Sequence, residues 1–216
     1  GKSVKTAMIW GANGGIGRSL GEKLTADGWR VVAVTRHRNN VEDLTTDVVE
    51  ADVSDPYEVE LAVTTTSQLI NEIDLWVYAA GDIVAEKVDQ LEPEQWSRVL
   101  SANLTGAFLA THYSLPLLAD AAHLFYLGAV SERLRLPRLS AYATAKAGLE
   151  AFVDALGKEQ RKHRVTIVRP GAVDTAFWEK VPMRLPGHAL LPEDVASRIV
   201  EAYQTGHKGS LDLTPK

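Results

Sequence analysis

The sequence contains no cysteine among its 216 residues, which excludes disulfide bonds, thiolate metal sites and thiol catalysis. It also lacks a basic excess, because 28 acidic side chains outnumber 23 lysines and arginines and the formal net charge is −5. Binding to backbone phosphates requires a basic surface, so we expect no nucleic-acid partner. The histidines show no paired spacing typical of zinc ligands, and we expect no metal site.

Long hydrophobic runs are also missing. No stretch of about 18 uncharged apolar residues occurs, and no charged segment followed by an apolar stretch opens the chain. We therefore expect a soluble, cytoplasmic protein without a membrane partner. A hydrophobic fraction of 45% over this length suits one compact domain with a large core, so residues 1–216 are predicted to form a single domain.

A glycine-rich turn follows the first apolar segment. Residues 5–10 are predicted to form a strand that leads into Gly11, Gly15 and Gly17, and helical character follows from Arg18. Glycine permits a turn tight enough to direct backbone N–H groups and a helix N-terminus at a diphosphate. The spacing G-x-x-x-G-x-G differs from the commoner dinucleotide fingerprint. Taken alone, the turn is equally consistent with a tight connection and nothing more.

A tyrosine and a lysine stand four residues apart, at Tyr142 and Lys146, in a segment predicted to be helical. One helical turn brings such positions onto the same face. A phenol with an ordinary pKa of about 10 exchanges protons poorly at neutral pH unless a nearby cation stabilises the phenolate. The pair therefore indicates proton transfer, while a packed tyrosine beside a solvated lysine is the alternative interpretation.

Apolar segments alternate with helical ones along the chain. After the first strand, further strands are predicted at 31–35, 47–51, 75–79, 123–127, 165–168 and 210–213. This alternation indicates an α/β fold in which helices cover both faces of a parallel sheet. We predict a Rossmann fold with a doubly wound, seven-stranded sheet of order 3-2-1-4-5-6-7. The short stretch from Arg36 to Asp47 contains Asn39 and Asn40, so its helix is predicted to be reduced to a turn.

The glycine turn and the Tyr142–Lys146 pair together resemble the short-chain dehydrogenase/reductase family, and the resemblance covers essentially the whole chain. Asp52, Asn103 and the segments 169–175 and 191–196 fit the family in the right order. The resemblance implies an oxidoreductase that transfers hydride between a nicotinamide and a carbonyl or an activated quinonoid or imine carbon of a small molecule. It also implies a homodimer or homotetramer.

The resemblance further implies a role for each matching residue. Tyr142 is the general acid, its pKa is lowered by Lys146 and the oxidised nicotinamide, and Asn103 anchors a water in the proton relay. A helix-interior asparagine bonded to a neighbouring carbonyl is the alternative for Asn103, and a helix cap by Asp174 or Thr175 is the alternative for Thr175. The implied cofactor contacts are Gly11, Asn13, Gly15, Ile16, Gly17, Arg36, Asp52, Val53, Ala80, Gly81, Tyr142, Lys146, Pro170, Gly171, Val173 and Thr175.

The residue at the end of the second strand indicates whether NAD(H) or NADP(H) binds. Arg36 stands where an acidic residue would bind the ribose 2′-hydroxyl of NAD(H), and no carboxylate follows before Glu42. A guanidinium matches the geometry of a 2′-phosphate, so NADP(H) is favoured over NAD(H). A solvated surface arginine is the alternative, and His37 and Arg38 are candidates to assist.

Three positions depart from the family pattern. Trp10 replaces the usual threonine, residues 78–81 replace an asparagine-rich segment, and Ala129 stands where the catalytic serine is expected. Ser131 is a candidate replacement, although a loop serine is its simpler interpretation. Trp10 and Ala129 resemble the quinonoid dihydropteridine reductase branch, whose electron-deficient substrate needs less help from a donor. Such an enzyme is one alternative function, and a non-enzymatic dinucleotide sensor or scaffold is another.

Residues 174–190 contain two prolines and are predicted to form a lid over the substrate. Their apolar side chains include Phe177 and Trp178. Two interpretations fit these side chains equally: ordinary packing, and contact with an apolar or aromatic substrate. The candidate substrate contacts are therefore Ala129, Ser131, Phe177 and Trp178.

Overall fold

Parallel strands form the centre of the protein in this computed structural model, which describes residues 3–129 and 135–213. Seven strands lie within the described residues and follow the order β3-β2-β1-β4-β5-β6-β7. Every neighbouring pair is parallel, so the predicted fold and strand order are confirmed. The strands are β1 Thr6–Trp10, β2 Arg30–Thr35, β3 Asp47–Glu50, β4 Ile73–Tyr78, β5 Leu118–Leu127, β6 Arg164–Pro170 and β7 Gly209–Leu213.

Helices connect the strands. In the described part of the chain they are α1 Gly15–Ala26, α2 Pro56–Leu69, α3 Pro93–Leu100, α4 Gly106–Ser114, α5 Ser140–Glu159 and α6 Pro192–Thr205. A π-helical turn, Ser101–Thr105, joins α3 to α4. Only a short 3-10 helix, Arg38–Asn40, lies between β2 and β3, which confirms the predicted reduction to a turn. No helix in these two described ranges combines the length and apolar character needed to cross a membrane.

The sheet is buried on both faces, and all five residues of β1 are buried. Because side chains alternate along a strand, Ile9 packs with α1 and α6 on one face. Met8 and Trp10 pack with α2, α4 and α5 on the other. Two-sided burial explains why the strands read as continuous apolar runs rather than as alternating patterns.

Local signals set where the helices begin. Asp55 accepts a hydrogen bond from the Tyr57 N–H at 2.9 Å and Pro56 follows it, so α2 starts there. Asp194 likewise accepts from the Leu191 N–H at 3.0 Å at the start of α6. The strand order reverses between β1 and β4, and the carboxyl ends of these two strands therefore border a crevice in which a ligand can bind.

A histidine of β5 is fully buried on one face of the sheet. His123 stacks on Phe125 with ring centroids 4.0 Å apart, and its Nε2 lies 2.8 Å from the Thr166 hydroxyl. Because that hydroxyl donates to the His207 carbonyl, it accepts from Nε2–H, which assigns the neutral tautomer. Burial, with the positive charges of Arg164 and His207, lowers the pKa of His123 to about 3.

We predict that His123 makes the fold sensitive to acid. Its pKa in the folded protein lies below the ordinary 6.5, so the unfolded chain takes up the proton first as the pH falls. The free energy of unfolding should then decrease between pH 6.5 and 3 by up to about 1.4 kcal/mol per pH unit. His123→Gln keeps an N–H donor and does not titrate. Denaturant titrations should show a shallower pH dependence for this variant, and parallel curves would contradict the assignment.

Candidate functional site

Two cavities lie side by side at the carboxyl ends of the strands. The tyrosine cavity has a volume of about 470 Å³ and contains Tyr142 and Lys146. The arginine cavity has a volume of about 800 Å³ and contains Arg36. The residues that line both are Gly14, Ala79, Ala80, Gly81 and Phe177. Together the cavities provide an elongated groove across the crevice between β1 and β4.

The glycine turn between β1 and α1 lies where the cavities meet. Gly11 has a φ of +80°, and a Cβ there would lie 2.5 Å from the backbone nitrogen of Ala80, so no other residue fits. A Cβ at Gly15 would lie 2.8 Å from the methyl group of Thr175. The N-terminus of α1 has no side-chain cap, and its first N–H groups remain available. This cradle therefore fits a diphosphate.

Tyr142 and Lys146 lie on α5 and both face the tyrosine cavity. The Lys146 Nζ is 5.6 Å from the centre of the Tyr142 ring, which confirms the predicted proximity of the two side chains. Lys146 is only 6% exposed, and its ammonium donates to the Leu127 carbonyl at 2.7 Å. The end of β5 thus holds the lysine in place.

Burial shifts the pKa values of both groups. It lowers the pKa of Lys146 to about 8 and raises the pKa of Tyr142. Burial thus acts on the tyrosine pKa in the direction opposite to the lowering expected from Lys146 and the oxidised nicotinamide together. Loss of solvation of the phenolate causes this rise, and the Lys146 ammonium donates to the Leu127 carbonyl. As a result Tyr142 is held in its protonated form, which is the form a general acid needs.

Asn103 is fully buried in the π-helical turn Ser101–Thr105. Its Nδ2 donates to the carbonyls of Asp82 at 2.7 Å and Val99 at 2.8 Å. Its Oδ1 has no partner among the described residues and lies beside Gly81, where a Cβ would be 2.7 Å away. A buried acceptor of this kind suits a water molecule, and the Nδ2 contact with Val99 leaves it available. Asn103 itself is not among the residues that line either cavity.

The segment after β6 forms one wall of the tyrosine cavity. Pro170, Gly171, Val173 and Thr175 all line it, which brings together these four predicted cofactor contacts. Thr175 occupies the N-cap position of a 3-10 helix, Ala176–Lys180, but its side chain makes no capping hydrogen bond. Helix capping therefore does not account for its hydroxyl.

Residues 174–190 form a loop whose two ends meet, and we call it the lid loop. The Asp174 N–H donates to the Leu190 carbonyl at 2.9 Å, and the Leu190 N–H donates to the Ala172 carbonyl at 2.8 Å. These bonds fix the base of the loop next to the tyrosine cavity.

Two aromatic side chains of the lid loop reach the cavities. Phe177 lines both, and its ring centroid lies 6.1 Å from that of Tyr142 in an edge-on arrangement. Trp178 lines the tyrosine cavity, and its Nε1 donates to the Val173 carbonyl at 2.8 Å. Both candidate substrate contacts thus lie at the cavity that holds the tyrosine.

An ion pair joins the lid loop to the segment after β4. The Lys180 Nζ and the Arg98 Nε each lie 2.8 Å from a carboxylate oxygen of Asp82. Although burial alone would raise the pKa of Asp82, hydrogen bonds from Lys180 and the Ile83 N–H, with the charges of both cations, leave it below its ordinary value. One carboxylate therefore connects the lid loop with α3.

Arg36 and Asp52 face each other in the arginine cavity. The Arg36 side chain is 64% exposed, and its guanidinium lies 3.8 Å from the Asp52 carboxylate. Ser54 donates to that carboxylate from its N–H at 3.0 Å and its hydroxyl at 2.7 Å. Val53 and Asn13 also line the cavity. Arg36 is thus held loosely, within reach of an anionic ligand.

The two neighbours of Arg36 have different positions. His37 lines the arginine cavity. The Arg38 guanidinium instead donates to the Val48 carbonyl at 3.1 Å, and Arg38 is not among the residues that line either cavity. The expectation that Arg38 assists Arg36 is corrected, because its guanidinium is bonded to β3.

The remaining predicted contacts with the cofactor or the substrate do not all lie at a cavity wall. Ala129 and Ile16 line the tyrosine cavity, whereas Ser131 lies outside the described residues. Gly17 is buried beneath the turn, where a Cβ would overlap the Gly11 carbonyl, so it occupies a packing position rather than a cavity wall. The described residues contain no cluster of three histidine, aspartate or glutamate side chains able to hold a metal ion.

Sequence reasoning missed the ion pair between Asp82 and Lys180. An acidic residue just after a strand that borders the crevice was a usable signal, because ligands bind at that edge of the sheet. Its partner was not predictable, since 98 positions separate the two residues.

Comparisons with known proteins agree with this geometry. The family model described as short chain dehydrogenase matches residues 5–185. An uncharacterised oxidoreductase of Staphylococcus aureus is 24% identical over 222 residues, with 97% of this chain and 96% of the relative covered. One of Staphylococcus epidermidis is 28% identical over 185 residues, with 81% and 80% covered.

Solved structures resemble the fold closely. A short chain dehydrogenase from Salmonella enterica serovar Typhi has a TM-score of 0.90 at 20% identity, with 99% of this chain and 97% of that chain covered. A 3-ketoacyl-(acyl-carrier-protein) reductase from Brucella melitensis, complexed with NADH, has a TM-score of 0.86 at 24% identity, with 96% of each chain covered.

Proposed function

The chain belongs to the short-chain dehydrogenase family, and from that premise we propose that it is an NADP(H)-dependent oxidoreductase with Tyr142 as its general acid. Its reaction reduces a carbonyl or an activated quinonoid or imine carbon of a small molecule. The observation that carries the proposal is the convergence of Tyr142 and Lys146 on a cavity that also contains the glycine turn and Thr175.

Residues of the chain bind and orient the cofactor and protonate the substrate. The turn at Gly11 and Gly15 would hold the diphosphate, and Lys146 and Thr175 would hold the nicotinamide half. A bound nicotinamide supplies the hydride. Tyr142 donates its proton to the substrate heteroatom, and the ammonium of Lys146 stabilises the resulting phenolate. Proton return from solvent runs through a water held at the Asn103 Oδ1.

The exposed guanidinium of Arg36 supports the choice of NADP(H). A 2′-phosphate would replace its long ion pair of 3.8 Å with Asp52 by shorter, charge-assisted hydrogen bonds. His37 lines the same cavity and offers a second donor. The residues directly after β2 that line this cavity are Arg36 and His37, and neither is a carboxylate, which leaves NAD(H) without the usual acceptor for its 2′-hydroxyl at the end of β2.

The methyl group of Ala129 supports an activated substrate. It lines the tyrosine cavity at the position where a serine hydroxyl is usual, and one oxyanion donor is worth about 10²–10³ in rate. An electron-deficient quinonoid compound needs less of that help. A quinonoid dihydropteridine reductase-like activity is therefore the second candidate, although Arg36 disfavours the NADH that such enzymes use.

We also propose that copies of the chain associate through α4 and α5. Phe108 is 48% exposed there and packs edge-on against Phe152, with ring centroids 6.4 Å apart. An apolar ring at such a position is typical of an interface. The mass of the particle in solution, from sedimentation equilibrium, decides whether the protein is a homodimer, a homotetramer or a single chain.

Tyr142→Phe should remove most turnover, because it deletes the proton donor and keeps the ring. General acids contribute about 10²–10⁴ in rate, and a loss in that range is expected with little change in cofactor affinity. Turnover is followed by nicotinamide absorbance after screening aldehydes, ketones, quinones and quinonoid dihydropterin. Lys146→Ala should weaken both turnover and cofactor binding. Full activity of Tyr142→Phe would refute the assigned acid, and no turnover of any substrate by the unmodified protein would favour a sensor or scaffold.

Arg36→Ala should abolish a preference for NADPH over NADH. Loss of a charge-assisted hydrogen bond is worth about 1.5–3 kcal/mol, so NADPH affinity should fall roughly ten- to a hundred-fold while NADH affinity changes little. Titration by nicotinamide fluorescence measures both. Arg38→Ala is the matched control, because that guanidinium is bonded to the Val48 carbonyl and its loss should leave the ratio unchanged. Equal affinities in the unmodified protein would overturn the assignment.

Ala129→Ser should separate two classes of substrate. Reduction of simple aldehydes or ketones should rise by about ten-fold or more, while turnover of an activated quinonoid substrate should change only modestly. Steady-state kinetics on both classes measures this divergence. Ser131→Ala is the accompanying variant, and a large loss there would mean that Ser131 already supplies the hydroxyl. If neither substitution alters any turnover, the methyl group carries no mechanistic information.

A further inference from the structure

The hydroxyl of Tyr78 contacts the turn that carries Asn103. Tyr78 ends β4 at the centre of the sheet and is 1% exposed. Its hydroxyl donates to the Ala102 carbonyl at 2.5 Å, the carbonyl immediately before Asn103. In an α-helix the N–H of residue 106 would donate to that carbonyl. Here the Gly106 N–H donates to the Ser101 carbonyl instead. The Tyr78 hydroxyl therefore gives the Ala102 carbonyl a hydrogen bond in place of the one that Gly106 would donate in an α-helix.

Gly106 makes room for this contact. A Cβ at Gly106 would overlap the Tyr78 hydroxyl and would lie 2.8 Å from the Ser101 carbonyl. The site therefore depends on two residues far apart in sequence, a tyrosine that reaches the turn and a glycine that lets it approach. Burial also raises the pKa of Tyr78, so the hydroxyl keeps its proton and remains a donor.

Asn103 is fixed on two sides. Its amide Nδ2 donates to Asp82 and Val99, and its backbone is held through the preceding carbonyl by Tyr78. These contacts leave the buried Oδ1 as its one side-chain atom without a partner among the described residues. A small rotation of the turn would move that oxygen away from Gly81 and the cavities beyond it.

We infer that Tyr78 is a positioning residue for the proton relay, which acts by holding the π-helical turn so that the Asn103 Oδ1 faces the relay water. The inference rests on the proposed function. It goes beyond it by assigning a role to a side chain that contacts neither the substrate nor the cofactor.

Tyr126 provides a matched control on the neighbouring strand. It pairs with Tyr78 in register, is fully buried, and its hydroxyl lies 2.6 Å from the Thr111 hydroxyl. Because Thr111 donates to the Ala107 carbonyl, Tyr126 is the donor in this pair. Tyr78→Phe and Tyr126→Phe thus remove equivalent buried hydroxyls, only one of which contacts the turn before Asn103.

The test compares the two variants in the full chain on a validated substrate. Both should lose thermal stability to a similar extent. Tyr78→Phe should also lower turnover by about ten- to a hundred-fold, because a catalytic group that is slightly misplaced loses about that much rate. It should shift the pH profile of turnover and leave the affinity for the cofactor unchanged. Tyr126→Phe should keep the unmodified turnover and profile. Equal turnover and equal profiles in the two variants would overturn the inference.

A double-mutant cycle tests whether Tyr78 acts through Asn103. In an Asn103→Ala background, Tyr78→Phe should cause no further loss of turnover, and additive losses would contradict the inference. If Tyr78→Phe does not fold, Gly106→Ala takes its place, since it displaces the hydroxyl from the other side. Tyr142→Phe distinguishes a failure of the proposed function from a failure of the role of Tyr78. Full turnover in that variant refutes the proposed function, whereas its inactivity beside an unaffected Tyr78→Phe refutes only the role of Tyr78.

Discussion

The contact between the end of β1 and the end of β4 constrains the rest of the site. Gly11 approaches the backbone of Ala79 and Ala80 so closely that no side chain fits between them. This contact joins the two halves of the sheet where the strand order reverses. The residues that follow the two strands line both cavities, so the groove is continuous across the crevice.

Burial determines the chemistry on the β5 side of this contact. Burial raises the pKa of Tyr142 and lowers that of Lys146. It also leaves the Asn103 Oδ1 as an acceptor without a partner in the described ranges. Each of these states is unfavourable in isolation. Together they form the series of groups that the proposed proton relay would use. The π-helical turn and the carbonyl of Leu127 fix the geometry of that series.

Much of the fold was predictable because its signals are local. Apolar runs, the glycine turn and the adjacent Asn39 and Asn40 are each signals from a few neighbouring residues, and they identified the seven strands and the shortened segment after β2. The i,i+4 spacing of Tyr142 and Lys146 likewise placed two site residues on one helical face. Contacts that depend on tertiary packing were not predictable. The redirection of Arg38 to β3 depends on the position of Val48, and the pKa of Tyr142 depends on how completely the lid loop and α5 exclude water.

The pairing of Asp82 with Lys180 adds an electrostatic consequence for the lid loop. Both cations that face Asp82 are 54% exposed, so dissolved ions screen their attraction, with a Debye length of about 8 Å at physiological ionic strength. The backbone hydrogen bonds at the base of the loop are far less sensitive to salt. Added salt should therefore loosen the tip of the loop without releasing its base. If opening of the loop limits departure of the product, the ionic strength of the medium becomes a control on turnover that involves none of the reacting groups.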